Sequence, residues 1–205
     1  MSTLEPRIYL ASRSPRRREL LAQLGIRFDV LLFRGVPRED PEVDEVPLAG
    51  ESPQAYVVRV ARAKALHGMR LIASRQMLSR PVLAADTTLD FDGKVIGKPR
   101  DEQDAREILQ RLSGRSHRVL TAIAVIDGDR MEDALNISEV RFRTLDTEEI
   151  RRYVATGEPM DKAGGYGIQG RAGMFVAEIR GSQSGIVGLP LCETALLLRR
   201  FAYPI

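Results

Sequence analysis

The apolar residues of the chain recur with two periods, and these periods predict strands that alternate with helices. Alternating or continuous apolar runs predict strands at residues 7–11, 28–33, 81–91, 94–96, 119–126, 137–142 and 174–179. Spacings of three and four residues predict helices, with their caps, at residues 14–25, 52–68, 101–112, 147–155 and 189–201. Because the two kinds of element alternate without a repeat, we expect a mixed, twisted α/β sheet flanked by helices.

Serine, proline and glycine mark the ends of these elements. Ser14-Pro15 and Ser52-Pro53 each place a capping hydroxyl before a proline, which suits the first helical position. Thr147 is predicted to cap the fourth helix, and Asp92-Gly93 to form a tight turn between two strands. Residues 35–50 are acidic and rich in proline, so we expect a surface loop there.

Length and composition narrow the possible classes of protein. A chain of 205 residues can bury a core as one domain, or as two lobes around a shared sheet. With 43% hydrophobic and 29% charged residues it is neither disordered nor a membrane protein. The single cysteine, Cys192, excludes an internal disulfide framework, and residues 1–12 lack a signal-peptide core. We therefore expect a cytoplasmic protein.

Charge and ligand chemistry limit the partners. The net charge of +3 is modest, and no basic helix or aromatic-studded strand predicts nucleic-acid binding. Two histidines and one cysteine cannot build an ordinary zinc site, so any metal must be held by carboxylates and substrate phosphates, which favours Mg²⁺ or Mn²⁺.

The chain has only four lysines, against 27 arginines. Three of the four lie in segments with other functional features: Lys64, Lys98 and Lys162. Alternatively, the lysines lie in these segments by chance.

The first such segment, residues 11–18, combines a strand end, a hydroxyl-rich turn and a helix start. Arg16, Arg17 and Arg18 would oppose the helix dipole in the first turn unless an anion compensates them. A phosphate would do so. A solvated basic patch behind an ordinary cap explains the residues equally well.

The second and third segments carry carboxylates. Asp44 and Glu45 could bind a metal or belong to a solvated acidic loop. Asp86 follows apolar and small residues, so it should be shielded from water and need a cation or donors. Lys98 on the returning strand could help, and so could a metal; a purely structural ion pair is the alternative.

The fourth segment, residues 161–170, holds four glycines, which let a backbone approach a ligand closely. It lacks the Gly-Lys-Ser/Thr ending of a P-loop. Tyr166, Ile168 and Gln169 resemble pocket-forming side chains, although a flexible surface loop would also explain the composition.

Taken together, six stretches in this order resemble the Maf family from about Ile8 to Phe201. They are Leu-Ala-Ser-Arg-Ser-Pro-Arg-Arg at 10–17, Ala-Ala-Asp-Thr at 84–87, Gly-Lys-Pro at 97–99, Leu-Ser-Gly-Arg-Ser-His at 112–117, Asp-Lys-Ala-Gly-Gly-Tyr-Gly-Ile-Gln-Gly at 161–170 and Gly-Leu-Pro-Leu at 188–191. The chain departs from the family pattern at Ala84, where glycine is usual, at Gly165, where alanine is usual, and at 181–185, which lacks the usual tyrosines.

The resemblance implies a single domain over residues 1–205, with two lobes and a cleft, similar to the inosine triphosphate pyrophosphatases. It implies hydrolysis of a nucleoside triphosphate between its α- and β-phosphates with a divalent cation, a homodimer, and a link to arrest of septum formation. By motif match, the proton acceptor would be Asp86 and the metal would lie on Glu45 and Asp86. The phosphates would contact Ser12, Arg16, Arg17, Lys64 and Lys98.

Three further matches indicate the branch of the family that acts on dTTP and UTP: Arg16, Thr87 and Gln169. Two alternatives stay open. One is a pyrophosphatase for 7-methylguanosine triphosphate or another modified purine nucleotide, and the other is a non-catalytic regulator of division.

Overall fold

The computed structural model describes residues 6–32 and 43–205. Its strands are β1 (Ile8–Ala11), β2 (Phe28–Val30), β3 (Val82–Phe91), β4 (Lys94–Ile96), β5 (Ser116–Asp127), β6 (Arg130–Phe142) and β7 (Val176–Arg180). Its helices are α1 (Pro15–Gln23), α2 (Pro53–Ser74), α3 (Glu102–Leu112), α4 (Thr147–Val154), α5 (Gln183–Val187) and α6 (Leu191–Arg200). Three short 3-10 helices span Glu158–Asp161, Ala163–Gly165 and Arg171–Phe175.

The seven strands form one mixed sheet, as the sequence predicts. The strand order is β2-β1-β3-β5-β6-β7, and β4 pairs with β3 outside this path. β1 is parallel to both β2 and β3, whereas the remaining pairs are antiparallel. The longest strands, β5 and β6, form a hairpin through Gly128 and Asp129.

Side chains of successive strand residues point to opposite faces of the sheet, and helices cover both faces. On one face α2 packs over Tyr9, Ala11, Val82, Ala84 and their neighbours on β5. On the other face α1 and α6 pack over Ile8, Leu10, Leu83, Ala85, Ile123 and Val125. This alternation continues along β3, so Asp86 shares the α2 face with Ala84, and Thr87 shares the opposite face with Ala85.

A third core region surrounds the far end of β3. Leu89 and Phe91 pack there with the buried faces of α3 and α4 and with the aromatic side chains of Phe142, Tyr153, Tyr166 and Phe175. The predicted helix at residues 101–112 is confirmed, with Asp101 as its N-cap.

The partner of β3 changes along its length, and this opens one edge of the strand. β1 pairs with Val82–Ala84, and β4 pairs with Leu89–Phe91. Among residues 6–32 and 43–205, only β5 pairs with the stretch 85–88 of β3. Asp86 and Thr87 therefore lie where the sheet is open on one side.

Helix α2 is longer than predicted. Gly68, which the sequence suggests as its end, lies inside the helix, and α2 continues to Ser74. A Cβ atom at position 68 would lie 2.8 Å from Cγ1 of Val82 and 3.3 Å from Cβ of Ala11. Glycine is therefore explained by close packing of α2 against β1 and β3 rather than by helix termination.

Several other boundaries differ from the prediction. The cap of α4 is Asp146 rather than Thr147, because the Asp146 carboxylate accepts from the backbone N–H of Glu149 at 2.8 Å. β7 begins at Val176, since Met174 belongs to a 3-10 helix, and α5 is an element that the apolar pattern does not predict. The end of the predicted strand at 28–33 and part of the predicted loop at 35–50 lie outside the described residues.

Candidate active site

One cleft of about 1370 Å³ opens beside the unpaired edge of β3. All nine site residues predicted from the sequence line it: Ser12, Arg16, Arg17, Glu45, Lys64, Asp86, Thr87, Lys98 and Gln169. They come from the β1–α1 turn, the loop before α2, α2 itself, β3, the segment after β4 and the glycine-rich segment. The fold thus brings together residues that are up to 157 positions apart in the chain.

At the floor of the cleft, one ammonium group lies between two carboxylates. Lys64 Nζ is 2.8 Å from Oδ1 of Asp86 and 2.6 Å from Oε1 of Glu45. Lys64 and Asp86 are only 8% and 7% exposed, so their charges are largely removed from water. Lys64 is therefore a cation that contacts Asp86, a role for which the sequence suggested Lys98. Lys98 lines the same cleft.

Each charge in the group formed by Glu45, Lys64 and Asp86 stabilises the ionised form of its neighbour. Burial would raise the pKa of Glu45, but the nearby Lys64 ammonium outweighs it and the pKa is lowered. Burial would likewise lower the pKa of Lys64, but Asp86 and Glu45 outweigh it and that pKa is raised. Both residues are therefore charged at neutral pH, and the ammonium keeps two acidic side chains close together.

Two residues of α2 that no sequence motif indicates hold the loop that carries Glu45. The hydroxyl of Tyr56 donates to the backbone carbonyl of Glu45 at 2.9 Å. Burial, with the charges of Asp86 and Glu45, raises the pKa of Tyr56 to about 12, so the hydroxyl stays a donor. Arg59 donates to the carbonyls of Asp44 and Val46. Only their spacing in the sequence could have indicated this role, because both lie on α2 one or two turns before Lys64.

The basic segment forms the opposite wall. Ser14 caps α1 as predicted, and its hydroxyl accepts from the backbone N–H of Arg17 at 3.4 Å. The Arg17 guanidinium donates to the carbonyl of Gly188 at 2.8 Å, to Thr87 Oγ1 at 3.1 Å and to Ser12 Oγ at 3.3 Å. Arg16 lies 3.8 Å from Asp161. The wall thus joins α1, β3 and the turn after α5 into one cationic surface.

The glycine-rich segment, residues 161–170, lines the cleft through Tyr166, Ile168 and Gln169, as the sequence suggests. Its glycines, however, mainly accommodate other parts of the protein. A Cβ atom on Gly167 would lie 2.7 Å from Cε of Lys162, and Cβ atoms on Gly164 and Gly170 would overlap the side chains of Leu89 and Glu158. These glycines are required for packing of the wall rather than for direct approach to a ligand.

A buried histidine anchors this segment from behind. The ring Nε2 of His117 lies 2.7 Å from the hydroxyl of Tyr166, and the two rings meet edge to face. Burial lowers the pKa of His117 to about 4. His117 is therefore neutral at physiological pH, and it accounts for the histidine of the Leu-Ser-Gly-Arg-Ser-His stretch.

Acid is expected to destabilise the protein through His117. Its folded pKa lies below the unfolded value of 6.5, so stability is complete above pH 6.5 and is lost as the pH falls toward 4. At about 1.4 kcal/mol per pKa unit, the loss is on the order of 3 kcal/mol. His117→Gln cannot titrate, so urea unfolding at several pH values should show the wild type losing stability relative to this variant between pH 6.5 and pH 4. A pH-independent difference between the two proteins would contradict the assignment.

Oxygen ligands suitable for a hard divalent cation are present in the cleft. Within the described part of the chain, no three His, Cys, Asp or Glu side chains come together as a complete metal site. The carboxylates of Glu45 and Asp86 nevertheless share one neighbour, Lys64, and both line the cleft. Two carboxylates completed by water and substrate phosphates are the usual ligand set of Mg²⁺ in proteins.

Comparison with known proteins gives consistent matches over the full chain. A protein from Dechloromonas aromatica named dTTP/UTP pyrophosphatase is 60% identical over 197 residues, covering 96% of this chain and 98% of its own. A protein of the same name from Aromatoleum aromaticum is 59% identical over 206 residues, covering both chains completely. Among solved structures, the Ham1 protein of Staphylococcus aureus aligns with a TM-score of 0.46 and 14% identity, over 96% of this chain and 97% of that one.

None of the helices formed by residues 6–32 and 43–205 is long and apolar enough to cross a membrane. The family model described as Maf-like protein matches residues 7–201, which is nearly the entire chain. With this match and with relatives at 60% and 59% identity, the chain belongs to the Maf family.

Proposed function

We propose that this protein is a nucleoside triphosphate pyrophosphatase that hydrolyses dTTP and UTP to the monophosphate and pyrophosphate. The observation that carries the proposal is one cleft lined by Arg16, Arg17, Lys64 and Lys98 together with the carboxylates of Glu45 and Asp86, both of which contact Lys64. A triphosphate is densely anionic, and phosphoryl transfer depends mainly on positioning and on stabilisation of charge. The names of the relatives from Dechloromonas and Aromatoleum support the same activity.

In this proposal the triphosphate contacts Ser12, Arg16, Arg17, Lys64 and Lys98, all of which line the cleft. Arginines can bind two phosphate oxygens at once, and lysines act as compact point charges. Arg17 is already oriented by three hydrogen bonds, so little side-chain freedom is lost when an anion binds.

Glu45 and Asp86 would hold a divalent cation such as Mg²⁺ or Mn²⁺. Such a cation, when bound, lowers the pKa of a bound water and offsets charge on the phosphates. Asp86 accepts the proton of the attacking water. The water oxygen bonds to one phosphorus of the α–β phosphoanhydride, and pyrophosphate and monophosphate separate with the electrons of the broken bond on the leaving oxygen.

Arg16, Thr87 and Gln169 would select the pyrimidine. The three residues reach the cleft from α1, β3 and the glycine-rich segment, and the amide of Gln169 offers both a donor and an acceptor. The edge of uracil or thymine also presents a donor and an acceptor, so the Gln169 amide can form two hydrogen bonds with it. The preference for dTTP and UTP over 7-methylguanosine triphosphate is supported by the names of the relatives from Dechloromonas and Aromatoleum.

A panel of nucleotides tests the proposal. With Mg²⁺ present, purified protein should release pyrophosphate from dTTP and UTP faster than from dGTP and 7-methylguanosine triphosphate, with the monophosphate as the second product. A preference for purine nucleotides would contradict the pyrimidine assignment, and release of orthophosphate would contradict the bond that is cleaved. Turnover of no triphosphate would favour the non-catalytic regulator.

Several wider expectations from the resemblance stay proposals. They are one two-lobed domain over residues 1–205, a homodimer, a cytoplasmic location, the absence of a nucleic-acid partner, and a link to septum formation. Light scattering of the purified protein would test the homodimer directly.

A further inference from the structure

Thr121 is a buried threonine of β5 that lies directly opposite Thr87 of β3. It is 0% exposed, and Ile123 and Val125, which follow it on the same face of β5, belong to the apolar core beneath α1 and α6. A hydroxyl at such a position must be hydrogen-bonded or it destabilises the fold. Its partners connect it to the cleft wall.

The hydrogen bonds of Thr121 determine which group is the donor and which is the acceptor in its contact with Thr87. Thr121 Oγ1 lies 2.7 Å from the carbonyl oxygen of Gly185, which can only accept, so the single hydroxyl proton of Thr121 points there. Thr121 Oγ1 also lies 2.9 Å from Thr87 Oγ1. Because the proton of Thr121 is already used, Thr87 must be the donor in that contact.

The direction set at Thr121 determines what Thr87 can offer to a ligand. Arg17 Nη2, which can only donate, lies 3.1 Å from Thr87 Oγ1. The Thr87 hydroxyl therefore donates to Thr121, accepts from Arg17, and keeps one lone pair for the cleft that it lines. Thr87 can accept a hydrogen bond from an N–H or O–H group of a nucleotide, but it cannot donate one.

The same contact fixes α5 beside the cleft. Gly185 lies within α5, and a Cβ atom at that position would overlap the side chain of Asn136 on β6. The Gly185 carbonyl can approach Thr121 because this glycine packs so closely against the sheet. Ile186 and Val187, the next residues of α5, line the cleft.

We propose that Thr121 is a positioning residue that sets the hydrogen-bonding polarity of Thr87 and, through Thr87, the orientation of Arg17. The proposal rests on the pyrophosphatase function proposed above and adds a determinant of nucleotide selectivity that does not touch the substrate. Without the Thr121 hydroxyl, the O–H group of Thr87 no longer has Thr121 as its acceptor. It can then donate to acceptor atoms of a base that the wild type rejects.

Thr121→Val tests the proposal because it keeps the shape of the side chain and removes the hydroxyl. The readout is the ratio of kcat/KM for dTTP to kcat/KM for dGTP. We expect this ratio to fall about tenfold, the effect of one misdirected hydrogen bond. A loss of folded protein lowers both values equally and leaves the ratio unchanged. Thr121→Ser keeps the hydroxyl and should restore the wild-type ratio.

Thr194→Val is the matched control. Thr194 is also 0% exposed, and its hydroxyl also donates to a backbone carbonyl, that of Pro190, at 2.7 Å. It lies on α6 and is not part of the cleft wall described above, so its loss should lower stability and leave the ratio unchanged. Should Thr121→Val not fold, Thr121→Ala removes the same hydroxyl without adding a methyl group.

The outcomes separate this proposal from the function on which it rests. An active wild type with an unchanged ratio in the Thr121 variants lacking the hydroxyl would overturn the role of Thr121 alone. An equal change in Thr194→Val would overturn it too, since any lost buried hydroxyl would then suffice. A wild type that releases pyrophosphate from no nucleotide would overturn both proposals.

Discussion

Replacing Asp86 by asparagine is expected to lower kcat roughly 100- to 10,000-fold, the usual range for loss of a general base. Asparagine has nearly the same shape as aspartate, but its amide cannot accept the proton of the attacking water, and it is a weaker ligand for a divalent cation. Lys64 keeps Glu45 as a partner in the variant, so the fold should persist. Rates of pyrophosphate release with saturating dTTP and Mg²⁺ give the comparison.

Asp90→Asn is the control for this substitution. Asp90 is a second buried carboxylate on β3, at 3% exposed, and it pairs with Arg118. It lies four residues beyond Asp86, outside the set of residues that line the cleft. Its variant should lose stability while the rate per folded molecule stays near normal. Near-normal turnover by Asp86→Asn would remove Asp86 from the role of base.

The sheet and most helices could be predicted from the sequence because their signals are local. Continuous runs of apolar residues predict β1 and β3, and Ser14-Pro15 predicts the start of α1 to the residue. The end of α2 could not be predicted in this way. Gly68 reads as a helix terminator in isolation, and only its contact with Val82 and Ala11, which are distant in the chain, shows that it is a packing position.

The sequence also predicts residues that line the cleft, but it does not predict which of them pair. The family resemblance indicates Glu45, Lys64 and Asp86, and the structure places all three in one cleft. Which cation contacts Asp86 depends on the angle at which α2 crosses β3, and no local pattern specifies that angle. Thr121 was missed for a related reason, since its function depends on a cross-strand register with Thr87 that emerges only in the folded sheet.

The same pairing predicts that loss of Lys64 strongly destabilises the fold. In Lys64→Met, Asp86 and Glu45 remain close together without the ammonium that both contact. Removing one partner of a buried ion pair typically costs about 3–5 kcal/mol, because the remaining charge is left uncompensated. We expect a loss of that size in the free energy of unfolding, measured by urea denaturation at pH 7 without divalent cations. An exposed lysine such as Lys94, changed to methionine, should alter stability by less than about 0.5 kcal/mol.

Two further measurements identify the cause of that loss. In the double variant Lys64→Met/Asp86→Asn one of the two negative charges is absent, so part of the lost stability should return, as a positive coupling in a double-mutant cycle. Added Mg²⁺ should stabilise Lys64→Met more than the wild type, because a divalent cation held by Glu45 and Asp86 would replace the missing positive charge. Equal stabilisation of both proteins by Mg²⁺ would argue against a cation site at these two carboxylates. A fully additive cycle would show that Lys64 supports the fold by packing rather than by charge.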